Sequence, residues 1–335
     1  MSAPAVLKPR DFKPGVPDWS TLHQPSGDLF PPVKDKAEWS SYKLTPEQVS
    51  QYWRDGFLLN VPVLTEDQCD KILQDFKYFM DPNQHHPGHA MLYEYHSNQS
   101  SDPNNVLIHT LGHWRLTSYL HDLLFLPQVV VPASQLIDES HPDAAVRFWH
   151  DQLFLKPAKH GGVVAWHQDY SYWTRTTPMK HLTVHIALDE QTEENGCLQY
   201  IPGSHRWTRD GGPLPVLDFN FKDMEGIKTI LAEEEKAAFK PVPSLLKKGH
   251  ASFHHALSVH GSYGNRSDGP RRAAVLNYFA DGVLSNTDDF MIRATSGTDT
   301  DENIVEELLN EGKIPKGNKM EGQFFPLVYD PAWGA

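Results

Sequence analysis

Residues 181–190 read HLTVHIALDE. In an extended chain they place Leu182, Val184, Ile186 and Leu188 on one face, and Thr183, His185, Ala187 and Asp189 on the other. A period of two held this long specifies a β-strand that buries one face, and a slip of one residue would exchange the faces. The alternation suits a surface strand, and equally a strand whose polar face lines a cavity in a barrel or jelly roll. The segments AVRFWHDQLFLKP, CLQYIPGS, ASFHHALSVHGS and RRAAVLNYFADG extend the pattern, because each is short, strand-like and bounded by Gly, Pro or Asn turns. An antiparallel β-core over 144–285 follows. It is interrupted over 207–248 by a Gly/Pro-rich loop and the helix-like stretch DMEGIKTILAEEEKAAF.

Ahead of that core the chain reads mostly as helix. In LTPEQVSQYWRDG, Thr45 is a cap, Pro46 takes the first helical position, Gln48 stands three residues after the cap, and Gly56 lies beyond the end. TEDQCDKILQDFKYFM repeats the logic with Thr65 and Gln68, and gathers Ile72, Leu73, Phe76, Phe79 and Met80 on one face. FLLNVPV between them reads as a strand, and a further helix is expected near 117–126, ended by Pro127. Residues 1–40, rich in proline with Trp19 and Phe30 as isolated anchors, predict an extended arm lying on the body. DENIVEELLNEG, with Asp301 as cap and Gly312 as stop, predicts a helix before an aromatic tail. No repeat or low-complexity linker divides the 335 residues. The expectation is therefore one domain, mainly β with α elaborations: arm 1–40, helical flank 41–143, β-core 144–285, and C-terminal helix and tail 286–335.

Charge and cysteine usage narrow the function classes. Thirty basic residues against 43 acidic ones give a formal net charge of −13, and no basic run breaks the pattern, so binding to nucleic acid or to an anionic membrane is disfavoured. Cys69 and Cys197 form neither a CxxC pair nor a disulfide framework. The first residues lack the apolar core of a signal peptide, and nowhere do eighteen apolar residues run together, which predicts an intracellular, cytoplasmic protein without membrane insertion. The Asn-x-Ser triplets at Asn98 and Asn265 read as chance.

The chemistry gathers around AWHQDYSYW, Ala165 to Trp173. On a strand, His167 and Asp169 point to one face about 6–7 Å apart. An imidazole nitrogen beside a carboxylate oxygen suits Fe(II), Mn(II) or Zn(II), but a site needs a third ligand. His254, His255 and His260 all lie in the downstream β-like segment; His260 is followed by Gly-Ser, then by a turn-rich loop and by Arg271, which opens the next strand. Two other groupings, HTLGH (His109, His113) and QHHPGH (His85, His86, His89), lack the glutamate of a zinc-protease helix and read as surface histidines.

Together the HxD pair, ENGCLQYIPGSHR (194–206) and the HGS…N…R run resemble the phytanoyl-CoA dioxygenase family of iron(II)- and 2-oxoglutarate-dependent oxygenases. The resemblance covers about residues 145–282, and more loosely the helices over 45–126. It implies a double-stranded β-helix, the cupin-like jelly roll, flanked by N-terminal helices. Carried over position by position, it implies that His167, Asp169 and His260 hold iron, that Arg271 grips the distal carboxylate of 2-oxoglutarate, and that Ser262 assists. Such a triad leaves three positions open, two for 2-oxoglutarate and one for O2. A planar guanidinium meets a carboxylate bidentately where an ammonium does not. Gln152 and Lys156 alternate on the strand before the HxD strand, where the family places polar residues near cosubstrate or substrate. His185 stands where some relatives have an aromatic touching 2-oxoglutarate. Tyr170, Tyr172 and Trp173 follow the ligands and, with His255, are candidates for bounding a substrate cavity. The carboxylate of Asp169, absent from related halogenases, implies hydroxylation of an aliphatic carbon in a small-molecule or lipid-like substrate, with release of succinate and CO2. The contrasting expectation is a non-catalytic metal- or metabolite-binding jelly roll.

Overall fold

The computed structural model describes residues 8–79, 86–92, 94–96, 108–215, 224–289 and 312–334. Its β-core is a jelly roll of two antiparallel sheets. The large sheet runs in the order Phe57–Pro62, His250–His255, His181–Ala187, Arg271–Ala280, Val146–Lys156, Ile108–Leu111 and Glu94–His96, with Leu327–Tyr329 also paired to Val146–Lys156. The small sheet runs Val242–Pro243, Leu198–Tyr200, His260–Ser262 and Val164–His167. ASFHHALSVHGS therefore makes two strands in two sheets: the chain leaves the large sheet after His255 and enters the small one at His260.

The alternation of HLTVHIALDE is fully realised, and its polar face turns inward. Every residue of His181–Ala187 is buried. Leu182, Val184 and Ile186 join Ala251, Phe253, Ala274, Leu276 and Tyr278 in the main apolar cluster, against Ile72, Phe76, Leu120, Val129, Val130 and Leu136 of the helical flank. Burying such side chains stabilises by roughly 1.5–3 kcal/mol each.

A short helix at Lys36–Ser41 ends the arm, and the next, Pro46–Asp55, has the expected capping box: Thr45 Oγ1 accepts from Gln48 N at 3.3 Å, and Gln48 Oε1 accepts from Thr45 N at 2.9 Å. Gly56 ends it at φ 86°, where an added Cβ would lie 2.4 Å from His205 Nδ1. Thr65 and Gln68 exchange the same bonds ahead of Glu66–Phe79. A short helix at Ser118–Asp122 and a 3-10 turn at Leu123–Phe125 stop before Pro127, as expected, but Pro127 also opens a second helix, Pro127–Leu136. Proline suits that first position, where its missing N–H would find no helical acceptor.

The arm is tied down by two buried acids. Asp18 pairs with Arg115 (Nε–Oδ1 3.1 Å), and the carboxylate of Asp122 accepts from Ser26 N and Oγ, Gly27 N, Asp28 N and Leu29 N at 2.6–3.1 Å. The insertion contains a 3-10 turn at Gly226–Thr229 and a helix only over Glu233–Ala238. Its Met224, Ile227 and Leu231 pack with Val163, Trp166 and Val259. The expected helix over 301–312 lies outside the described residues except for Gly312, as does Met80. His113 is a correction: it is fully buried and bonded to Thr110, and burial pulls its pKa down to about 3. Among the described residues, no helix is long and apolar enough to cross a membrane.

Candidate metal centre

The HxD strand and the HGS strand lie side by side. His167 pairs with His260 and Val164 with Ser262, so three steps along one strand match two along the other. This bulge in Val164–His167 turns the chain directly into the 3-10 turn Asp169–Tyr172. Gly261 permits the close approach, because a Cβ there would sit 2.8 Å from Val164 O.

His167, Asp169 and His260 converge. His167 Nε2 lies 3.4 Å and His260 Nε2 3.6 Å from the same carboxylate oxygen, Asp169 Oδ1. One ligand atom from each lies within 4.8 Å of the others. His167 Nδ1 is 2.8 Å from Ala165 O and His260 Nδ1 is 3.0 Å from Ser258 O. Donating those N–H groups to carbonyls leaves each Nε2 a lone pair aimed at the shared space. Two neutral imidazoles and one carboxylate on one side of an ion are the donor set of non-haem Fe(II), so the residues fit that metal. Burial opposes charge on Asp169, but the surrounding histidines, His254 among them as a hydrogen-bond donor, hold its carboxyl well below the usual range.

The other oxygen of Asp169, Oδ2, accepts from Thr183 Oγ1 at 2.7 Å and from His254 Nε2 at 3.0 Å. His254, not His255, therefore supports the ligand. His255 lies on the opposite face of its strand, with its ring 5.4 Å from His205 and 6.0 Å from Trp53. Gln168 points away from the ligands and is held by Trp207 O, Leu257 O and Leu214 N.

Further along the inner face, Arg271 stands opposite Lys156. Lys156 Nζ donates to Ser262 Oγ at 2.7 Å and to Tyr263 O. Arg271 is 2% exposed, and its Nε has no hydrogen-bond partner among the described residues. Burial, and then Arg271, drive the Lys156 ammonium well below its usual range; burial brings Arg271 down to about 10. Two buried basic groups facing each other, with no carboxylate hydrogen-bonded to either among the described residues, fit an anionic group. Ser262 follows His260 by two residues on one strand, about 7 Å on, so a short dicarboxylate spans from the metal ligands to this basic pair. Asn265 shapes the intervening loop: its Nδ2 donates to Pro157 O at 2.9 Å and Gly269 O at 2.8 Å, and its Oδ1 accepts from Ser267.

The remaining candidates divide. His185 is held by Gln191 (2.9 Å), and burial, then Arg271, brings its pKa to about 3. Gln152 lies between His109 (2.8 Å) and His150 (3.4 Å). Tyr172, 40% exposed, sits edge-on to His167 with ring centroids 5.9 Å apart. Trp173 packs on His150 at 5.3 Å. Tyr170 is turned aside, its hydroxyl donating to Thr176 O. Sequence reasoning missed Thr183, Tyr200 and Ser252. Thr183 carried a signal, its place on the polar face of HLTVHIALDE; the other two carried none.

The family model described as phytanoyl-CoA dioxygenase matches residues 52–273, a span holding the triad, Lys156 and Arg271. A Caenorhabditis briggsae protein named phytanoyl-CoA dioxygenase domain-containing protein 1 homolog is 38% identical over 128 residues; the match spans 37% of this chain and only 43% of that relative's length. Peroxisomal phytanoyl-CoA dioxygenase of Mus musculus is 22% identical over 307 residues, 89% of this chain and 85% of the relative. Among solved structures, the non-heme alpha ketoglutarate dependent carbocyclase SnoK from nogalamycin biosynthesis superposes with a TM-score of 0.64 at 19% identity, covering 89% of this chain and 100% of that one. Apo EctD from S. alaskensis gives 0.55 at 22% identity, covering 71% and 77%. The chain belongs to the phytanoyl-CoA dioxygenase family, a family of iron(II)- and 2-oxoglutarate-dependent oxygenases.

Proposed function

We propose that the chain is a dioxygenase that hydroxylates an aliphatic carbon of a small-molecule or lipid-like substrate, with 2-oxoglutarate as cosubstrate. The observation that carries this reading is the connected inner face. A convergent His167–Asp169–His260 set leads through Ser262 to two buried basic groups, Lys156 and Arg271, with no acid bonded to either among the described residues. A metal-binding jelly roll without turnover has no use for the second half of that arrangement.

Iron(II) bound at the triad would supply the oxidising chemistry with O2, placing one oxygen atom in the substrate C–H bond and the other in succinate as CO2 leaves. The protein's own residues do the rest. His167, Asp169 and His260 hold the metal from one side. Arg271 and Lys156 bind the far carboxylate in a dry setting where the charge interaction is strong. Ser262, already bonded to Lys156, offers its hydroxyl to the same carboxylate. Substrate approaches along Tyr172, because the His167 side chain, 18% exposed, is the most open of the triad. Trp173 and the neutral His150 and Gln152 bound that approach and select what reaches the metal.

The test is anaerobic addition of Fe(II) and then 2-oxoglutarate to the metal-free protein. The weak visible charge-transfer band of the chelate is expected, with succinate formed on admitting air. Absence of both would overturn the reading. Stimulation of succinate release by candidate substrates then identifies the substrate.

A further inference from the structure

We propose that Ser252, Tyr200 and His254 form a hydrogen-bond relay that, together with Thr183, locks the rear oxygen of Asp169, so that this carboxylate meets the metal through one oxygen only. The inference rests on the iron reading above and assigns His254 and Thr183 as positioning residues.

The hydrogen bonds have one consistent direction. His254 Nε2 is 3.0 Å from Asp169 Oδ2, a carboxylate oxygen that only accepts, so Nε2 carries the proton and Nδ1 accepts. The atom against Nδ1 is Tyr200 Oη at 3.0 Å, which must donate; its remaining lone pairs face Ser252 Oγ at 2.9 Å. Ser252, Tyr200, His254 and Thr183 are each no more than 3% exposed, so water does not compete for these bonds. Because both nitrogens of His254 are engaged, it is no ligand, although its ring lies 4.5 Å from that of His260.

The relay also crosses the fold. Ser252 and His254 belong to the large sheet, Tyr200 to the small one, and Asp169 to the turn after the small sheet's HxD strand. Two donors on Oδ2, from neighbouring strands of the large sheet, set the carboxylate plane and leave Oδ1 facing both ligand imidazoles. Released from them, Oδ2 is free to swing onto the metal and occupy a position needed by cosubstrate or O2.

Cobalt(II) titration of the metal-free protein tests this, followed by visible absorption and calorimetry, with the thermal midpoint of each metal-free variant as the folding control. His254→Leu is expected to weaken cobalt(II) binding about 10–100-fold, the usual effect of losing a partner of a metal ligand. Its absorption per bound cobalt should also fall, since the intensity drops as coordination number rises. Thr183→Val and Tyr200→Phe, which conserve volume, should weaken binding less, and in the same direction. His254→Gln should stay within about threefold of wild type, because its amide N–H reaches the imidazole Nε2 position. Unchanged affinity and spectrum in Thr183→Val and Tyr200→Phe would overturn the proposal, as would a loss in His254→Gln equal to that in His254→Leu. Failure of the wild-type protein to bind cobalt(II) would instead sink the metal reading beneath it.

Discussion

On one face of the large sheet, Leu182, Val184 and Ile186 pack into the main apolar cluster; on the other, Thr183, His185, Asn277, His150, Lys156 and Arg271 are buried too. The two faces alternate residue by residue along the same strands, so burial does not separate core from site. What separates them is closure. The outer face is closed by packing, and its buried carboxylate, Asp151, by hydrogen bonds from Gly112 N and Trp114 N. The inner face is mostly satisfied by hydrogen bonds, but it turns two imidazole lone pairs toward one carboxylate oxygen and, among the described residues, leaves Arg271 Nε without a hydrogen-bond partner; such groups are retained at a cost that a ligand offsets.

The comparison is broken most directly at the triad. His260→Ala should abolish the charge-transfer band and reduce metal affinity by more than the roughly 100-fold ceiling of an outer-sphere change, while His255→Ala retains both. Next is Arg271→Lys, expected to raise the KM for 2-oxoglutarate about tenfold or more with little change in metal affinity, because an ammonium lacks the guanidinium fork. On the outer face, Ile186→Ala should do the reverse: a loss of about 2–5 kcal/mol in unfolding free energy with metal affinity intact. Acid separates the faces more gently. His113, His150, His185 and His255 have pKa values pulled by burial from 6.5 to about 3. The folded chain thus binds fewer protons than the unfolded one, and stability that is full above pH 6.5 falls as pH drops toward 3, by roughly 1 kcal/mol per imidazole per pH unit; unfolding followed between pH 7.5 and 5 measures it. Smallest is Gln152→Leu, which removes the bonds to His109 and His150 and should change the thermal midpoint by a few degrees, about 1 kcal/mol.

The legible parts of this molecule are those written in short-range patterns. Thr45 with Gln48, and Thr65 with Gln68, state their caps within four residues, and HLTVHIALDE states its two faces within ten. The HxD pair was readable because an extended chain brings i and i+2 to one face, whereas His260, Ser262 and Arg271 were named only through the family resemblance. The support behind the ligands was not, because Thr183, Tyr200 and His254 meet Asp169 only through the pairing of strands far apart in sequence. His254 and His255 differ only in which face of the strand they take, which the pairing of the strands decides. His113 was misjudged for the same reason: nothing in HTLGH announces the strand and helices that cover it. Pro127 was read as an end because a proline stops the helix before it, although it serves equally to start the next.

Asp122 gives the N-terminal arm a significance its composition does not suggest. The carboxylate is buried beside His121, and five of its hydrogen-bond donors come from Ser26 to Leu29. A shortened chain beginning at the helix Pro46–Asp55 would keep every residue of the metal centre and still enclose an anion stripped of those donors. For expression and crystallisation the arm is therefore a structural part of the folded body, and trimming it should yield insoluble protein instead of a smaller folded unit.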